Sequence, residues 1–285
     1  LRIRYEEESH QTDLNAALDH AHDAPAETPK PRGDFPRHYA DSATQVDVTY
    51  TTPVEHHNPM EPHASTVFYK PDGSLEIHDK TQGTQNCQDY LHKIFDLPKD
   101  KIRVLAAFVG GAFGSGLRPQ YQLPLAVMAA LALKRSVRVT LTRQQMFTFG
   151  YRPRTSQRVR LGADAEGRLL AIGHDAIGQT SRFEDFTEHL VEWSGMLYRC
   201  DNVALSYRLV PLDVYTPLDM RAPGAASGVI ALEGAMDELA PGDPWTLAND
   251  IGPVIDEPAR AKIQAHIDSY TAAGKLIHHL KAPEG

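Results

Sequence analysis

Apolar positions along this chain follow two periods, and each period predicts a different element. From Thr44 the pattern alternates: "TQVDVTYTT" and then "STVFYKPDGSLEIHDKT" carry the spacing of half-buried strands. Pro71-Asp72-Gly73, between the two arms of the second stretch, predicts a hairpin turn. "CQDYLHKIFDLP" switches to helical spacing and stops at Pro98, and "KIRVLAAFV" reads as a buried strand. "PLAVMAALALKR" is apolar nearly all round, which predicts a buried helix. "SVRVTLTR" returns to strand character. "RTSQRVRLGADAEGRLLAIGHDAIG" predicts a long hairpin turning at Ala165-Glu166-Gly167, "NVALSYRLVPLDVYT" a further strand pair, and "AASGVIALEGAMDELA" a helix. Strands and helices alternate irregularly and without repeats, so the expected fold is α/β, with mixed sheets and packed helices.

The two ends read differently. "LRIRYEEE" predicts a short strand, and the Pro-, Asp- and His-rich stretch that follows predicts a linker or long surface loop reaching to residue 44. At Ala240-Pro241 turn chemistry sets in, followed by one amphipathic helix over roughly Glu257 to Ala273. A single helix with loops buries no core of its own, so this tail must pack on something else or remain loosely ordered.

Composition changes the picture by exclusion. A chain of 285 residues has room for a core and for more than one domain. A formal charge of -8 with no compensating Lys/Arg cluster argues against a nucleic-acid partner. No segment approaches the roughly 20 apolar residues of a membrane-spanning helix. The first residues, "LRIRYEEESH", hold neither a start methionine nor an apolar signal core. The chain therefore reads as cut from a longer one, and its compartment stays open between the cytoplasm and export with a signal-bearing partner. Cys87 and Cys200 stand far apart, too few for a disulfide framework or for an iron–sulfur cluster held by this chain alone. Electrons handled here must travel through another group.

Candidate chemistry centres on Val109 to Gln122, "VGGAFGSGLRPQYQ", where four glycines separate a predicted strand from a predicted helix. Such a loop lets backbone N–H groups approach an anion closely. It lacks the Lys-Ser/Thr of a phosphate-binding P-loop and is not the G-x-G-x-x-G of a dinucleotide fold. Its neighbours narrow the reading: "NPMEPHAS" and "DKTQGTQN" upstream, "LTRQQMFTFGYRPRT" and "DMRAPGAASGVIALEGAMDELA" downstream. In this order the motifs resemble the molybdenum-binding subunit of the xanthine dehydrogenase/aldehyde oxidase family. "GSGLRPQYQ", "TSRFEDF", "WSGMLYRCDN" and "LVPLDVYTP" point to the periplasmic-type aldehyde oxidoreductase branch.

The resemblance implies the first molybdopterin-binding domain of a molybdenum hydroxylase, incomplete, over residues 45–240, with residues 1–15 ending a hammerhead domain and 16–44 a linker. It implies a molybdopterin-type cofactor that holds the molybdenum, with no protein metal ligand. Gln82 matches the glutamine that hydrogen-bonds an oxygen ligand of molybdenum. Gly111, Ala112, Phe113 and Gly114 match the loop at the metal end of the pterin. Arg221 matches the cofactor-binding arginine, followed by Ala222 and Gly224 at the opening of a helix. Arg152 matches an arginine that faces substrate in purine-oxidising relatives. Amide donors and guanidinium forks suit oxo and phosphate oxygens because they add no negative charge. Leu117 and Pro223 replace a glutamate and a stacking phenylalanine of the purine hydroxylases, which favours an aldehyde substrate. The implied reaction oxidises aldehydes to carboxylic acids with water as oxygen source. Electrons would pass to iron–sulfur and FAD partner subunits.

The family's catalytic base, a glutamate near the subunit's C-terminus, has no match after Ala240. Residues 241–285 instead resemble a fragment of an NAD-dependent glutamate-semialdehyde (aldehyde) dehydrogenase, which implies a chimaeric, truncated chain. Two alternatives follow: NAD-dependent aldehyde dehydrogenase activity, for which neither cysteine lies in a nucleophile motif, and a non-catalytic fragment. Other polar clusters read as structural. His56, His57 and His63 lie with Glu55 and Glu61 in an extended, Pro-interrupted stretch that predicts a surface loop or a domain entry rather than a metal site. Glu184, Asp185, Glu188 and Glu192 have the spacing of a solvated face.

Overall fold

The computed structural model describes residues 2–25, 30–165 and 167–238, with positions 261, 265, 268, 269, 271 and 272. Apart from those last positions, the stretch 241–285, with its expected resemblance to a dehydrogenase fragment and its expected helix, lies outside the described residues. Two sheets form the frame. The larger has five strands: β1 (His22–Asp23), β2 (Thr44–Thr52), β9 (Thr155–Ala163), β10 (Leu169–Ser181) and β11 (Val203–Leu212), in the order β1-β11-β10-β9-β2. The smaller has β4 (Ala64–Tyr69), β5 (Leu75–Asp79), β6 (Ile102–Leu105) and β7 (Val137–Thr140), in the order β6-β5-β4-β7. A two-stranded ribbon, β3 (Glu55–His56) with β8 (Tyr151–Arg152), pairs Glu55 opposite Arg152.

Both predicted hairpins form. β4 and β5 pair antiparallel, as do β9 and β10, where Gly167 takes the left-handed backbone that the turn requires. "NVALSYRLVPL" is one strand rather than a pair. β11 runs parallel to β10 through Pro211, opposite Thr180. The Val203 and Tyr207 carbonyls accept from Arg32 and Ala24 on the far edge, so odd positions face away from β10. Pro211 falls on that edge beyond the end of β1, where no ladder donor is missed. Residues 2–11, expected to begin as a strand, form none, because none of them pairs with another described strand. Within the expected linker, Asp34 caps α1 (Phe35–Ala40) by accepting from Arg37 N–H, and Phe35 is buried against β10 at Gly173.

α2 (Thr84–Phe95) and α3 (Gln122–Leu133) cover the smaller sheet. Cys87 and Leu91, one turn apart on α2, pack with Leu123, Ala126, Val127 and Ala130 of α3 over Val67, Leu75, Ile77 and Ile102. α3 is apolar all round, yet Leu125, Met128 and Leu133 stay exposed, because it forms the outer layer of the described fold. α4 (Ile230–Glu238) lays Ala231, Leu232 and Ala235 on the larger sheet. It is entered through one π-helical turn, residues 225–229, whose Val229 N–H reaches back to the Gly224 carbonyl. The strand expected through Val109 ends at Leu105, and the chain then turns out, with Phe108 largely exposed, to form the glycine loop.

Candidate functional site

Left-handed backbone at Gly111 (φ 83°), Phe113 (φ 57°) and Gly114 (φ 106°) coils the glycine loop on itself. A side chain at Gly114 would collide with the Asp219 carbonyl, so glycine there lets two loops touch. Internal bonds hold the coil: Ser115 N–H and Oγ both donate to Ala112 O, and Leu117 N–H donates to Gly114 O. Gln82, just before α2, accepts from Gly114 N–H at 3.0 Å and from Gly116 N–H at 3.3 Å. Two backbone donors thus fix the orientation of its amide, with the oxygen toward the loop and the NH2 available to a ligand. Ala112 and Phe113 N–H take part in none of the loop's bonds.

The second half of the site is the loop 218–224, pinned along its length. Leu218 N–H donates to Tyr151 O, Arg221 N–H to Phe113 O at 2.9 Å, and Gly224 N–H to Glu188 Oε1 at 3.0 Å. His57 Nε2 lies 2.7 Å from Asp219 O, while its Nδ1 lies 3.2 Å from Gly150 O. Burial lowers the His57 pKa, against the two carbonyls, which favour its protonated form. Ala222 (φ 56°) and Gly224 (φ 75°) are left-handed, and a side chain at Gly224 would strike the His189 carbonyl and the Trp193 ring. Among the described residues, the exposed Arg221 guanidinium has no carboxylate partner.

Arg152 does not present itself as a free substrate-facing group. It is 3% exposed, with Nη1 donating to Glu55 Oε2 at 2.6 Å, Nη2 donating to Arg221 O, and Nε 3.6 Å from Glu188 Oε1. Gly224 is likewise buried, and its N–H is committed to Glu188, so it shapes the turn rather than touching a ligand. The acidic stretch 184–192 is not a uniformly solvated face either: Glu188 is 1% exposed, and burial raises its pKa. Nor are His57 and His63 surface-loop residues, since both are buried. His57, Glu55 and Glu188 are the site residues that sequence reasoning missed. The one local signal was the density of His and Glu between prolines at 55–63.

Beneath the glycine loop, the Ser115 hydroxyl donates to Ala112 O, so His63 Nε2 must donate to Ser115 Oγ at 3.0 Å. That leaves His63 Nδ1 an acceptor without a partner, while burial holds the ring's pKa down to about 3. Buried Lys80, which acts electrostatically on His63, has an unpartnered Nζ, and burial lowers its pKa to about 8.

The two loops wall a cavity of about 330 Å³ lined by His56, His57, Asn58, Phe113, Arg152 and Arg221 among others. A larger, mostly apolar cavity of about 640 Å³ adjoins it through His56, with Val54, Tyr151, Phe183 and Tyr215 in its walls. Among the described residues, no cluster of three or more His, Cys, Asp or Glu side chains is arranged to hold a metal ion directly. What the site offers instead is backbone N–H groups, an oriented amide and an unpaired guanidinium. This donor set fits the oxygens of an oxo-metal group or a phosphate. Fold and site together define an α/β domain in which two backbone loops, touching through Arg221 N–H and Phe113 O, present donors suited to an anionic group.

The molybdopterin cofactor-binding domain family matches residues 19–242. Over 220 residues the chain is 38% identical to the aldehyde oxidoreductase molybdenum-binding subunit PaoC of Escherichia coli K12, covering 76% of this chain and 30% of PaoC. Quinoline 2-oxidoreductase from Pseudomonas putida 86 superposes with a TM-score of 0.74 at 23% identity, over 88% of this chain and 33% of that one. Aldehyde oxidoreductase from Desulfovibrio gigas superposes at 0.66 and 20% identity, over 94% and 33%. At these identities the superpositions show the fold alone. The chain belongs to the molybdopterin cofactor-binding domain family of aldehyde oxidoreductase molybdenum-binding subunits, and it spans about a third of the length of such relatives.

Proposed function

We propose that this chain forms the cradle for the metal end of a molybdopterin-type cofactor, in a subunit that oxidises aldehydes to carboxylic acids with water as oxygen source. When bound, the cofactor supplies the redox chemistry, taking up the electron pair removed from the aldehyde. The observation that carries this reading is that donors left uncommitted, Ala112 and Phe113 N–H, the Gln82 NH2 and the Arg221 guanidinium, belong to two loops joined through Arg221 N–H and Phe113 O and held by other bonds. Gln82 and the two N–H groups would orient oxygen ligands. Arg221 would bind an anionic oxygen, and the left-handed turn at Ala222 carries it to the groove. Leu117 and Pro223 stand where the resemblance places the glutamate and the stacking phenylalanine of purine hydroxylases, which suits a small carbonyl compound better than a purine. Glu188 does not serve as the base, because it is buried against Arg152 and the helix entrance. Iron–sulfur and FAD groups on partner subunits would carry the electrons onward.

Against NAD-dependent aldehyde dehydrogenase chemistry stands the state of both thiols. Cys87 is buried and its pKa is pushed up to about 12, and burial also raises that of Cys200, so neither is a ready nucleophile. The test is to co-express the chain with iron–sulfur and flavin subunits of a heteromeric oxidoreductase and measure molybdenum and pterin per chain. About one molybdenum per chain, lost on substituting Arg221, is the expected result. A folded protein without molybdenum or pterin refutes the reading.

A further inference from the structure

Glu188 is a carboxylate that is only 1% exposed, and three polar groups from two elements converge on it. Its Oε1 accepts from Gly224 N–H at 3.0 Å and from Ser227 Oγ at 3.4 Å, and lies 3.6 Å from Arg152 Nε. Gly224 and Ser227 stand at the entrance of the helical stretch 225–238, where the positive end of the helix dipole draws an anion. Arg152 in turn donates to the Arg221 carbonyl, and Arg221 N–H donates to Phe113 O. An unbroken run of polar contacts therefore leads from the buried carboxylate to the glycine loop.

We propose that Glu188 is the positioning residue of the cradle: through Arg152 and the Gly224 turn it sets Arg221 against Phe113, and it fills the helix entrance with an anion of the chain's own. Two consequences follow. The left-handed backbone at Ala222, which a residue with a side chain rarely adopts, is held from both sides by Arg221 and Gly224. Because the helix entrance is already neutralised, a bound anion is directed to Ala112, Phe113 and Arg221 instead. Only this last consequence rests on the proposed function.

The test compares the wild-type chain with E188Q, E188A and the double variant R152M/E188L, by amide hydrogen exchange and by molybdenum per chain. The amides of Leu218, Arg221 and Gly224 report the loop, and those of strands β9 and β10 report the frame. In E188A the loop amides should exchange at least about tenfold faster while the strands keep their protection. E188Q keeps an acceptor for Gly224 and loses the charge beside Arg152, so its loop should lie between the two. The double variant replaces a buried ion pair by apolar volume, a change often neutral for stability, so it should keep the strands and lose the loop's protection. It stands in for E188A should that variant not fold. Loop amides as protected as in the wild type, or loop and strands loosening together, would overturn the proposal. A wild-type chain without molybdenum would remove the cofactor reading alone, and the exchange result would still decide the role of Glu188.

Discussion

Gly114→Ala isolates the contact on which the site depends. The backbone there sits at φ 106°, and the added methyl would run into the Asp219 carbonyl and lie 3.1 Å from Met220 Cα. Both obstacles are backbone, so neither can rotate away as a side-chain tip would. Forcing a non-glycine residue into this conformation costs roughly 1–3 kcal/mol. Overfilling a packed contact adds about 1–3 kcal/mol. The chain can relieve part of this only by separating the glycine loop from 218–224, which breaks the bond between Arg221 N–H and Phe113 O. For a domain of this size the loss corresponds to a fall in Tm of about 5–15 °C. Gly116→Ala is the matched control: its methyl would meet Gln82 N at 3.1 Å with no left-handed penalty, so its effect should be smaller. Thermal unfolding of both variants, followed by circular dichroism and paired with molybdenum analysis, makes the comparison. A Gly114→Ala protein that melts with the wild type and keeps its molybdenum would refute the reasoning.

Buried His174, with Nδ1 2.7 Å from Ser194 Oγ and Nε2 3.1 Å from Gln157 Oε1, has its pKa lowered by burial to about 4 from an ordinary 6.5. The folded pKa lies below the unfolded one, so its contribution of ~3 kcal/mol is present above pH 6.5 and lost as pH falls toward 4. Urea titrations across that window should show the decline, and His174→Gln should flatten it; an equally steep decline in the variant would assign the effect elsewhere. Iodoacetamide at pH 8 should label neither Cys87 nor Cys200 in the native chain and both in urea, as mass spectrometry would read. Prompt labelling of native Cys87 would contradict its burial on the inner face of α2. Arg221→Ala should shift Tm by less than about 2 °C, since the exposed guanidinium has no ion pair among the described residues, yet abolish molybdenum retention. Full retention would remove Arg221 from the cradle.

Much of the frame was legible from local pattern. The alternation in β4, β5, β9 and β10, the turns at Gly73 and Gly167, and the apolar spacing of α2 and α3 each act over a few residues, where propensity and periodicity suffice. The glycine loop was visible as a run of glycines, its role and that of Arg221 came only from the family resemblance, and the structure brings the two into contact through Arg221 N–H and Phe113 O. Burial of charge was not legible. A carboxylate in a polar stretch reads as solvated, and only the fold reveals that Glu188 meets Gly224, 36 positions away, behind Arg152. Arg152 itself finds Glu55 across 97 positions and the Arg221 carbonyl across 69, distances over which no local pattern carries information.

By itself, then, the chain's sequence determined which segments become strands and helices and which donors the two loops carry, because those properties arise from neighbouring residues. Tertiary structure alone decided which of those donors remain uncommitted. That outcome depends on the partners each group meets once water is excluded, and it turned Arg152 from a substrate candidate into part of the wall that holds Arg221 in place.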